Sequence, residues 1–391
     1  MKKAILENQI LNSAMLCFDP INKVVQFDPV KGKKPYEAIH YVDVPRAIEI
    51  LDNGDTVFRF RAPDAGKVQV AVESGAMGGR KFDMAKDRGD WWSVTVADIP
   101  AGYHWLRFYV DGTMCMNPDA PIGIGGGFCP INFLEKPDED WEFYLLKDDV
   151  PHGDIRMELY KSSVTGRVKA CWVYTPPMYD QMVDRHYPVL YIQHGVCENE
   201  TSWIWQGKLN LIVDNLLAES KCKEMLIVMN CGYAFKEGDE PVFFPGDFDT
   251  ELVKDCIPFI DQKYRTLSDR KGRAVAGLSL GSAQAYLSGM KHPDLFASVA
   301  IFSGGLTVKR AEYDFTAFYA DPANFARTYD VFFVSCGEQE GYLDPLTQRI
   351  GDLNGGGAGI HFYHHPGYHI WDVWRFSLRE LLPLLFRETG G

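Results

Sequence analysis

One serine of this chain stands in a setting that suits nucleophilic catalysis. The stretch AVAGLSLGSAQ begins at Ala274 and holds Ser279 inside a Gly-x-Ser-x-Gly pentapeptide. An apolar run precedes the serine and helix-favouring residues follow it, which is the strand, turn and helix order of a nucleophile elbow. The two glycines allow strand and helix to approach closely while the serine backbone adopts a strained conformation. The motif predicts a nucleophilic serine, with a tight turn carrying an incidental hydroxyl as the alternative.

A serine hydroxyl is a weak nucleophile at neutral pH, so it needs a histidine base that a carboxylate orients. In proteins with such an elbow, the chain order is serine, acid, histidine. His369 lies past the last predicted strand, in the loop PGYH before a helix, where a side chain can lean over the sheet edge. We therefore predict His369 as the base. The other histidines after Ser279 lie beside the elbow helix or in the last strand: His292, His361, His364 and His365.

The acid is expected after the predicted strand DVFFVSC, in the segment GEQEGYLD. Glu340 and Asp344 both lie beyond the strand, whereas Glu338 is nearly inside the turn. We choose Glu340 and keep Asp344 as the alternative. Glutamate can serve here, because the acid only has to hold the imidazole and stabilise its cation.

An oxyanion hole needs two N–H donors near the serine. One is expected from Leu280 and the other from the loop after an earlier central strand. The segment YIQHGVCENETSW supplies that loop, so Val196 is the second candidate donor and Cys197 a further one. His194 is expected to orient the loop rather than to act in catalysis.

These residues require a sheet whose strand ends meet. After Pro151 apolar strands alternate with helical patterns, which predicts a mainly parallel sheet with helices on both faces. Ligands of such sheets bind at the carboxyl ends of the strands. We assign residues 151–391 to this α/β domain.

A different pattern precedes it. Short alternating segments such as TVFRFRAP, KVQVAVE and HWLRFYVDG predict an immunoglobulin-like β-sandwich over residues 46–130. The Gly- and Pro-rich stretch containing GIGGG is interpreted as a flexible connector. We assign residues 131–150 to a linker and leave residues 1–45 as a poorly defined N-terminal extension.

Composition excludes several classes of function. A chain of 391 residues favours two domains, and a formal charge of −13 argues against nucleic acid as a partner. No uncharged apolar run reaches the ~20 residues that cross a bilayer, and polar residues interrupt the N-terminal segment where a signal peptide would be apolar. Nine scattered cysteines without a CxxC pair fit a reducing cytoplasm. No membrane partner, metal or cofactor is predicted.

Taken together, the motifs resemble carbohydrate esterase family 1 and related putative esterases, a group that includes feruloyl, acetylxylan and siderophore esterases. The resemblance covers about Val150 to the C-terminus and rests on VYTPPMYD, YPVLYIQHGVCENETSW, YRTLSDRKGRAVAGLSLG, SCGEQE and HIWDVWR. It implies the α/β-hydrolase fold and a serine esterase activity. Glu340 matches the family's acid, although aspartate is commoner there, and Leu280 replaces a commoner methionine. The β-sandwich resembles, more weakly, a domain of the carbohydrate-module-48 type.

The substrate is a small-molecule or oligosaccharide ester by this interpretation. Two aromatic-rich segments, residues 233–249 and 306–325, follow strand ends and suit a planar acyl group, with Phe244 and Tyr319 as candidates. By resemblance, Trp203 and Gln206 are further pocket candidates. We expect cleavage of hydroxycinnamoyl esters, of the feruloyl or caffeoyl type, on sugars or small alcohols. Acetylxylan or siderophore esterase activity is the alternative, and an inactive carbohydrate-binding protein is a remote one.

Overall fold

The computed structural model describes residues 23–27, 39–43, 45–73, 75–87, 89–125, 129–136, 142–240, 246–304, 306 and 315–387. The chain divides into two compact units. The first comprises Met1–Gly123 and Pro130–Glu142, and the second comprises Ile124–Cys129 and Phe143–Gly391.

The first unit is built from β-strands. The strands described up to residue 136 are β1 (Lys23–Phe27), β2 (Ile39–Asp43), β3 (Ile48–Ile50), β4 (Thr56–Arg61), β5 (Val68–Glu73), β6 (Arg80–Lys86), β7 (Trp91–Val96), β8 (Gly102–Val110), β9 (Thr113–Cys115), β10 (Ile122–Gly125) and β11 (Cys129–Lys136). β1 and β2 form an antiparallel pair. The other strands form one sheet in the order β10-β11-β8-β5-β6-β7-β4-β3, with β9 on β8.

Alternation along these strands supplies one apolar core. Phe58 and Phe60 of β4 meet Val70 of β5 and Phe108 of β8, because side chains two residues apart share a face of a strand. Trp92 is also buried, and its Nε1–H donates to the carbonyl oxygen of Ala62 at 2.8 Å. The tryptophan thus packs inside the unit.

Two boundaries from the sequence need correction. The Gly-rich connector contains strand β10, and the linker assigned to 131–150 begins inside β11, which pairs with β8. The strand includes buried Asn132, whose Oδ1 accepts from the N–H of Asn117 at 2.8 Å and whose Nδ2 donates to the Asn117 carbonyl at 2.9 Å. A polar residue inside the run INFL hid the strand pattern, since its hydrogen bonds compensate for its burial.

The second unit contains an eight-stranded sheet. Its strands are β12 (Asp154–Lys161), β13 (Val168–Thr175), β14 (Val189–Gln193), β15 (Leu226–Asn230), β16 (Arg273–Leu278), β17 (Ser298–Phe302), β18 (Val331–Gly337) and β19 (His361–His365). They lie in the order β12-β13-β15-β14-β16-β17-β18-β19. β12 pairs antiparallel with β13, and β13 antiparallel with β15. The remaining pairs are parallel, so the carboxyl ends of β14 and β16–β19 share one edge.

Helices cover both faces of this sheet. They are α1 (Ser202–Trp205), α2 (Leu209–Ala218), α3 (Phe248–Glu251), α4 (Ile257–Lys263), α5 (Leu280–Lys291), α6 (Thr316–Tyr319), α7 (Ala323–Thr328), α8 (Leu343–Gly355) and α9 (Trp371–Leu381), with a π-helical turn at Leu252–Cys256. Side chains of α4, α5 and α8 pack with Val275 and Val299 on one face. On the other, Trp203 of α1 packs against Trp371 of α9 and Phe302 of β17.

Two features of the described residues concern membranes and metal ions. None of the helices described combines the length and the apolar character that spanning a bilayer demands. Nor do three or more His, Cys, Asp or Glu side chains of the described residues cluster so as to hold a metal ion.

Candidate active site

Ser279 occupies the sharp turn between β16 and α5. Its backbone has φ +51° and ψ −115°, a left-handed conformation that non-glycine residues rarely adopt. A Cβ atom on Gly277 would lie 2.1 Å from the carbonyl oxygen of Gly281, and one on Gly281 would lie 2.5 Å from that of His194. The flanking residues must therefore be glycine for strand and helix to approach this closely. The turn holds the serine at the N-terminus of α5.

Three side chains from three strand ends converge at this turn. The Nε2 atom of His369 lies 2.9 Å from Oγ of Ser279, and its Nδ1 atom lies 2.7 Å from Oε2 of Glu340. An ionised carboxylate can only accept, so Nδ1 carries the proton and Nε2 is left to accept the hydroxyl hydrogen of the serine. The arrangement can remove a proton from Ser279 and stabilise the resulting imidazolium.

Glu340 is held by donors on its second oxygen. Oε1 accepts from the N–H of Gly337 at 2.8 Å and from the hydroxyl of Ser303 at 2.7 Å. The Ser303 hydroxyl in turn accepts from Nε1–H of Trp374 at 2.9 Å. The Glu340 side chain is 2% exposed, so these contacts replace the hydration that the carboxylate loses. They leave Oε2 directed at His369.

Hydrogen bonds join the acid loop to the histidine loop. The N–H of Gln339 donates to the carbonyl of Gly367 at 3.0 Å, and the N–H of Gly367 donates to the Gln339 side chain at 2.5 Å. The imidazole of His369 is 40% exposed and packs edge-on against Trp374 at 5.2 Å between ring centroids. A substrate can therefore reach the imidazole from solvent while the ring stays oriented.

The alternative acid and bases lie elsewhere. Asp344 is exposed in the first turn of α8. His364 contacts Glu338 at 2.8 Å, and His365 stacks on Phe376. The remaining alternatives are His292, which contacts Asp249, and exposed His361 in β19.

Of the expected oxyanion donors, Leu280 and Val196 remain candidates, whereas Cys197 does not. Leu280 is the first residue of α5, a position whose N–H has no acceptor within its own helix. Val196 is 39% exposed and follows Gly195, where a Cβ atom would lie 3.5 Å from Cβ of Ser279. The N–H of Cys197, by contrast, donates to the hydroxyl of Tyr233 at 2.8 Å. Cys197 is therefore not a free donor, which corrects that expectation.

His194 orients the loop that contains Gly195 and Val196. Its Nε2 accepts from the N–H of Gly232 at 2.9 Å, and its Nδ1 lies 2.7 Å from the carbonyl oxygen of Gly195. Nε2 must then be unprotonated, so Nδ1–H is the donor to Gly195. Burial lowers the pKa of this imidazole to about 4, which keeps it neutral.

Two of the predicted substrate-binding residues, Trp203 and Gln206, are buried. Trp203 is 1% exposed and donates its Nε1–H to the carbonyl of Gln193 at 3.0 Å. Gln206 is fully buried, and its Oε1 accepts from the N–H of Ile124 at 2.7 Å. Both lie in the interior rather than against a substrate, because both side chains are buried and their polar atoms bond to other parts of the protein. This corrects both expectations.

The other two candidates have different outcomes. Phe244 lies outside the described residues. The hydroxyl of Tyr319 lies 3.0 Å from that of Tyr286, and Arg349 stacks over its ring at 4.6 Å. These contacts place Tyr319 against the core cluster of the sheet. They do not test a role in a substrate pocket, so that role stays a prediction.

Sequence reasoning missed Ser303 and Glu198 near the site, and it included Tyr233 only as part of the aromatic segment 233–249. Ser303 was signalled only by the SGG that follows β17, and Glu198 only by its place three residues after Gly195. Tyr233 begins one of the aromatic segments, and its ring lies parallel to Phe235 with centroids 6.5 Å apart. None belongs to a spacing pattern that identifies it without coordinates.

Comparisons with known proteins place this chain beside esterases. A family model described as "Putative esterase" matches residues 162–332, which include Ser279. A xylanase/feruloyl esterase of Xylanibacter ruminicola is 31% identical over 344 residues, covering 86% of this chain and 46% of the relative. An esterase of Mycobacterium tuberculosis is 32% identical over 215 residues, covering 52% of this chain and 45% of the relative. This chain thus spans less than half the length of either.

Solved structures share the fold. A ferulic acid esterase of Anaeromyces mucronatus in complex with ferulic acid has a TM-score of 0.53 at 23% identity, covering 64% of this chain and 96% of that one. The enterobactin esterase of Shigella flexneri has a TM-score of 0.61 at 16% identity, covering 86% and 94%. The second match extends into the all-β unit.

Proposed function

We propose, on the premise that residues 162–332 belong to the putative esterase family, that this protein is a serine esterase. The observation that carries the proposal is the chain of hydrogen bonds from Ser279 through His369 to Glu340. A hydroxyl, an imidazole and a carboxylate in this order form the apparatus of acyl transfer by a serine nucleophile.

In the first half of the reaction, Oγ of Ser279 attacks the ester carbonyl carbon as Nε2 of His369 removes the hydroxyl proton. The negative oxygen that develops accepts from the N–H groups of Leu280 and Val196. Glu340 stabilises the imidazolium without taking its proton. His369 then protonates the departing alcohol, and the acyl group stays on Ser279.

In the second half, a water molecule replaces the alcohol. Nε2 of His369 removes a proton from the water, whose oxygen attacks the acyl carbon of the Ser279 ester. The tetrahedral intermediate collapses to the carboxylic acid, and His369 returns the proton to Oγ. The exposed face of the imidazole gives water access to this step.

The acyl group is a hydroxycinnamoyl group in this proposal. Aromatic side chains lie near the reacting atoms: Tyr233 bonds to the N–H of Cys197, Phe235 lies parallel to Tyr233, and Tyr342 faces His369 at 6.2 Å between centroids. Tyr342 is also 41% exposed. A planar aromatic acyl group suits such surroundings. The name of the 31% identical relative includes feruloyl esterase, which supports the same class.

A comparison of esters tests both the serine mechanism and the hydroxycinnamoyl assignment. Purified wild type should hydrolyse methyl ferulate and methyl caffeate with higher kcat/KM than p-nitrophenyl acetate. Ser279→Ala should lower kcat for all of them by about 10⁶-fold, because the nucleophile is removed.

The controls separate the outcomes. Tyr109→Phe, in β8 of the all-β unit, should leave every rate unchanged. This control shows that preparing a variant protein does not by itself lower its activity. Cleavage of acetyl esters alone would overturn the hydroxycinnamoyl assignment while leaving the serine mechanism intact. Equal hydrolysis by wild type and Ser279→Ala would overturn the mechanism.

A further inference from the structure

Glu198 is a buried acid that the reaction described above does not use. The residue is 4% exposed, and N–H donors from three segments converge on it. Its Oε2 accepts from the backbone N–H of Gly195 at 3.0 Å. Its Oε1 accepts from Nε1–H of Trp371 at 2.9 Å and from Nε2–H of Gln206 at 3.3 Å. No cationic side chain of the described residues forms an ion pair with it.

Two of these donors belong to elements that position the site. Gly195 precedes Val196, and its backbone runs so close to Ser279 that a Cβ atom would lie 3.5 Å from the serine Cβ. Trp371 is the first residue of α9, two residues after His369. One carboxyl group therefore joins the loop of the second oxyanion donor to the helix that follows the base.

We propose that Glu198 is a positioning residue of the esterase site, which fixes the Gly195 peptide beside Ser279 and the start of α9 behind His369. The inference rests on the proposed function, since it assigns a role within the same reaction. Glu198 touches neither the substrate nor the reacting atoms, and it acts through the loops that do.

The chemistry of the group supports a role that an amide cannot fill. Both oxygens of an ionised carboxylate accept hydrogen bonds, whereas an amide has one accepting oxygen and a nitrogen that donates. A glutamine at this position would direct an N–H at the N–H of Gly195 or at that of Trp371. Burial of an acid without a cationic partner is unfavourable, and it raises the pKa of Glu198 to about 8. The hydrogen bonds from Gly195, Trp371 and Gln206 act the other way, because they favour the ionised form, so the position suits a group that accepts on both oxygens.

A second buried acid provides the matched control. Asp214 accepts from the hydroxyl of Tyr174 at 2.6 Å, from Nδ1 of His152 at 3.0 Å and from the N–H of Gly153 at 3.1 Å. Its side chain is fully buried, and burial raises its pKa too. None of its three donors belongs to the serine, oxyanion, acid or histidine loops. Asp214→Asn therefore disturbs a buried, three-donor carboxyl group without disturbing the site.

The test compares kcat, KM and Tm of wild type, Glu198→Gln and Asp214→Asn with methyl ferulate. Glu198→Gln should lower kcat by about 10²-fold, because a shift of the order of 1 Å in a catalytic group has that effect. Its KM should change little, since the oxyanion contact forms in the transition state. Asp214→Asn should keep the kcat of the wild type even if its Tm falls as far as that of Glu198→Gln.

Two further variants test the positioning role if the Glu198→Gln protein does not fold. Glu198→Asp keeps both accepting oxygens and should retain more kcat than Glu198→Gln. Trp371→Phe removes one donor and should lower kcat severalfold. A folded Glu198→Gln or Trp371→Phe protein with the kcat of the wild type would overturn the positioning role alone. A wild type that hydrolyses no ester would overturn the proposed function, and this inference with it.

Discussion

The same contact, from a glycine N–H to the side chain of a glutamate three residues later, occurs in two turns at one edge of the sheet. After β18, the N–H of Gly337 donates to the side chain of Glu340 at 2.8 Å, and after β14 the N–H of Gly195 donates to the side chain of Glu198 at 3.0 Å. In both cases the glycine stands three residues before the glutamate. Both glutamates are buried.

The two turns differ in what the other oxygen meets. Oε2 of Glu340 meets the half-exposed imidazole of His369, which can gain and lose a proton. Oε1 of Glu198 meets an indole and an amide, which keep their protons. The local turn fixes a carboxyl group in both places, and in our proposals the second partner determines whether that group supports proton transfer or holds loops in position.

The largest effect that separates the two turns is expected at Glu340. Glu340→Gln should lower kcat by about 10⁴-fold, because the amide no longer selects the Nδ1–H tautomer or stabilises the imidazolium. Steady-state hydrolysis of methyl ferulate measures this loss. Asp344→Asn is the control and should keep full activity, since Asp344 is exposed in α8. The opposite pattern, with Asp344→Asn the inactive protein, would assign the acid to Asp344.

A smaller effect is expected from the hydroxyl that supports Glu340. Ser303→Ala removes a donor to Oε1 and an acceptor for Nε1–H of Trp374. A hydrogen bond to a charged group contributes about 1.5–3 kcal/mol, so kcat should fall by about 10- to 10²-fold. Ser377→Ala is a suitable control, because its hydroxyl is also buried but accepts from Ser335 and does not contact Glu340. Unchanged kcat in Ser303→Ala would show that Gly337 alone orients the acid.

The smallest effect concerns the stability of the Glu198 turn. Its pKa is raised to about 8, so between about pH 5 and 8 the folded state holds a proton that the unfolded chain has released. Its contribution to the free energy of unfolding should therefore decrease as pH rises, by about 1 kcal/mol per pH unit. Denaturant unfolding at several pH values measures this slope.

Glu198→Gln supplies the comparison, because it has no proton to release. The stability difference between the variant and the wild type should move in favour of the variant as pH rises over that range. Among the described residues, the hydrogen-bond partners of Glu198 are an indole, an amide and a backbone N–H, none of which titrates over this range. Parallel stability curves for the two proteins would contradict the raised pKa.

Much of the fold and the identity of the central side chains follow from the sequence. Alternating apolar strands and helices place strand ends on one edge, and the order of Ser279, Glu340 and His369 along the chain selects side chains at those ends. The turn at Ser279 follows from its glycines. Geometry was needed to separate Glu340 from Asp344, since both follow the same strand.

Contacts between distant segments could not be predicted. Trp203 and Gln206 look like loop residues in the sequence, yet Trp371 and Ile124 enclose them through contacts far along the chain. Glu198 was missed for the same reason, because two of its three donors come from other segments. The strand at 129–136 was hidden by a buried asparagine whose partners lie at Asn117.

The most direct test of the account is to trap the acyl group. Wild type mixed with an aryl ester and quenched early in the reaction should carry the acyl mass on the peptide that contains Ser279, and Ser279→Ala should carry none. His369→Asn should form this species far more slowly, because the base is absent. An acyl group on another residue, or steady hydrolysis by Ser279→Ala, would contradict the account.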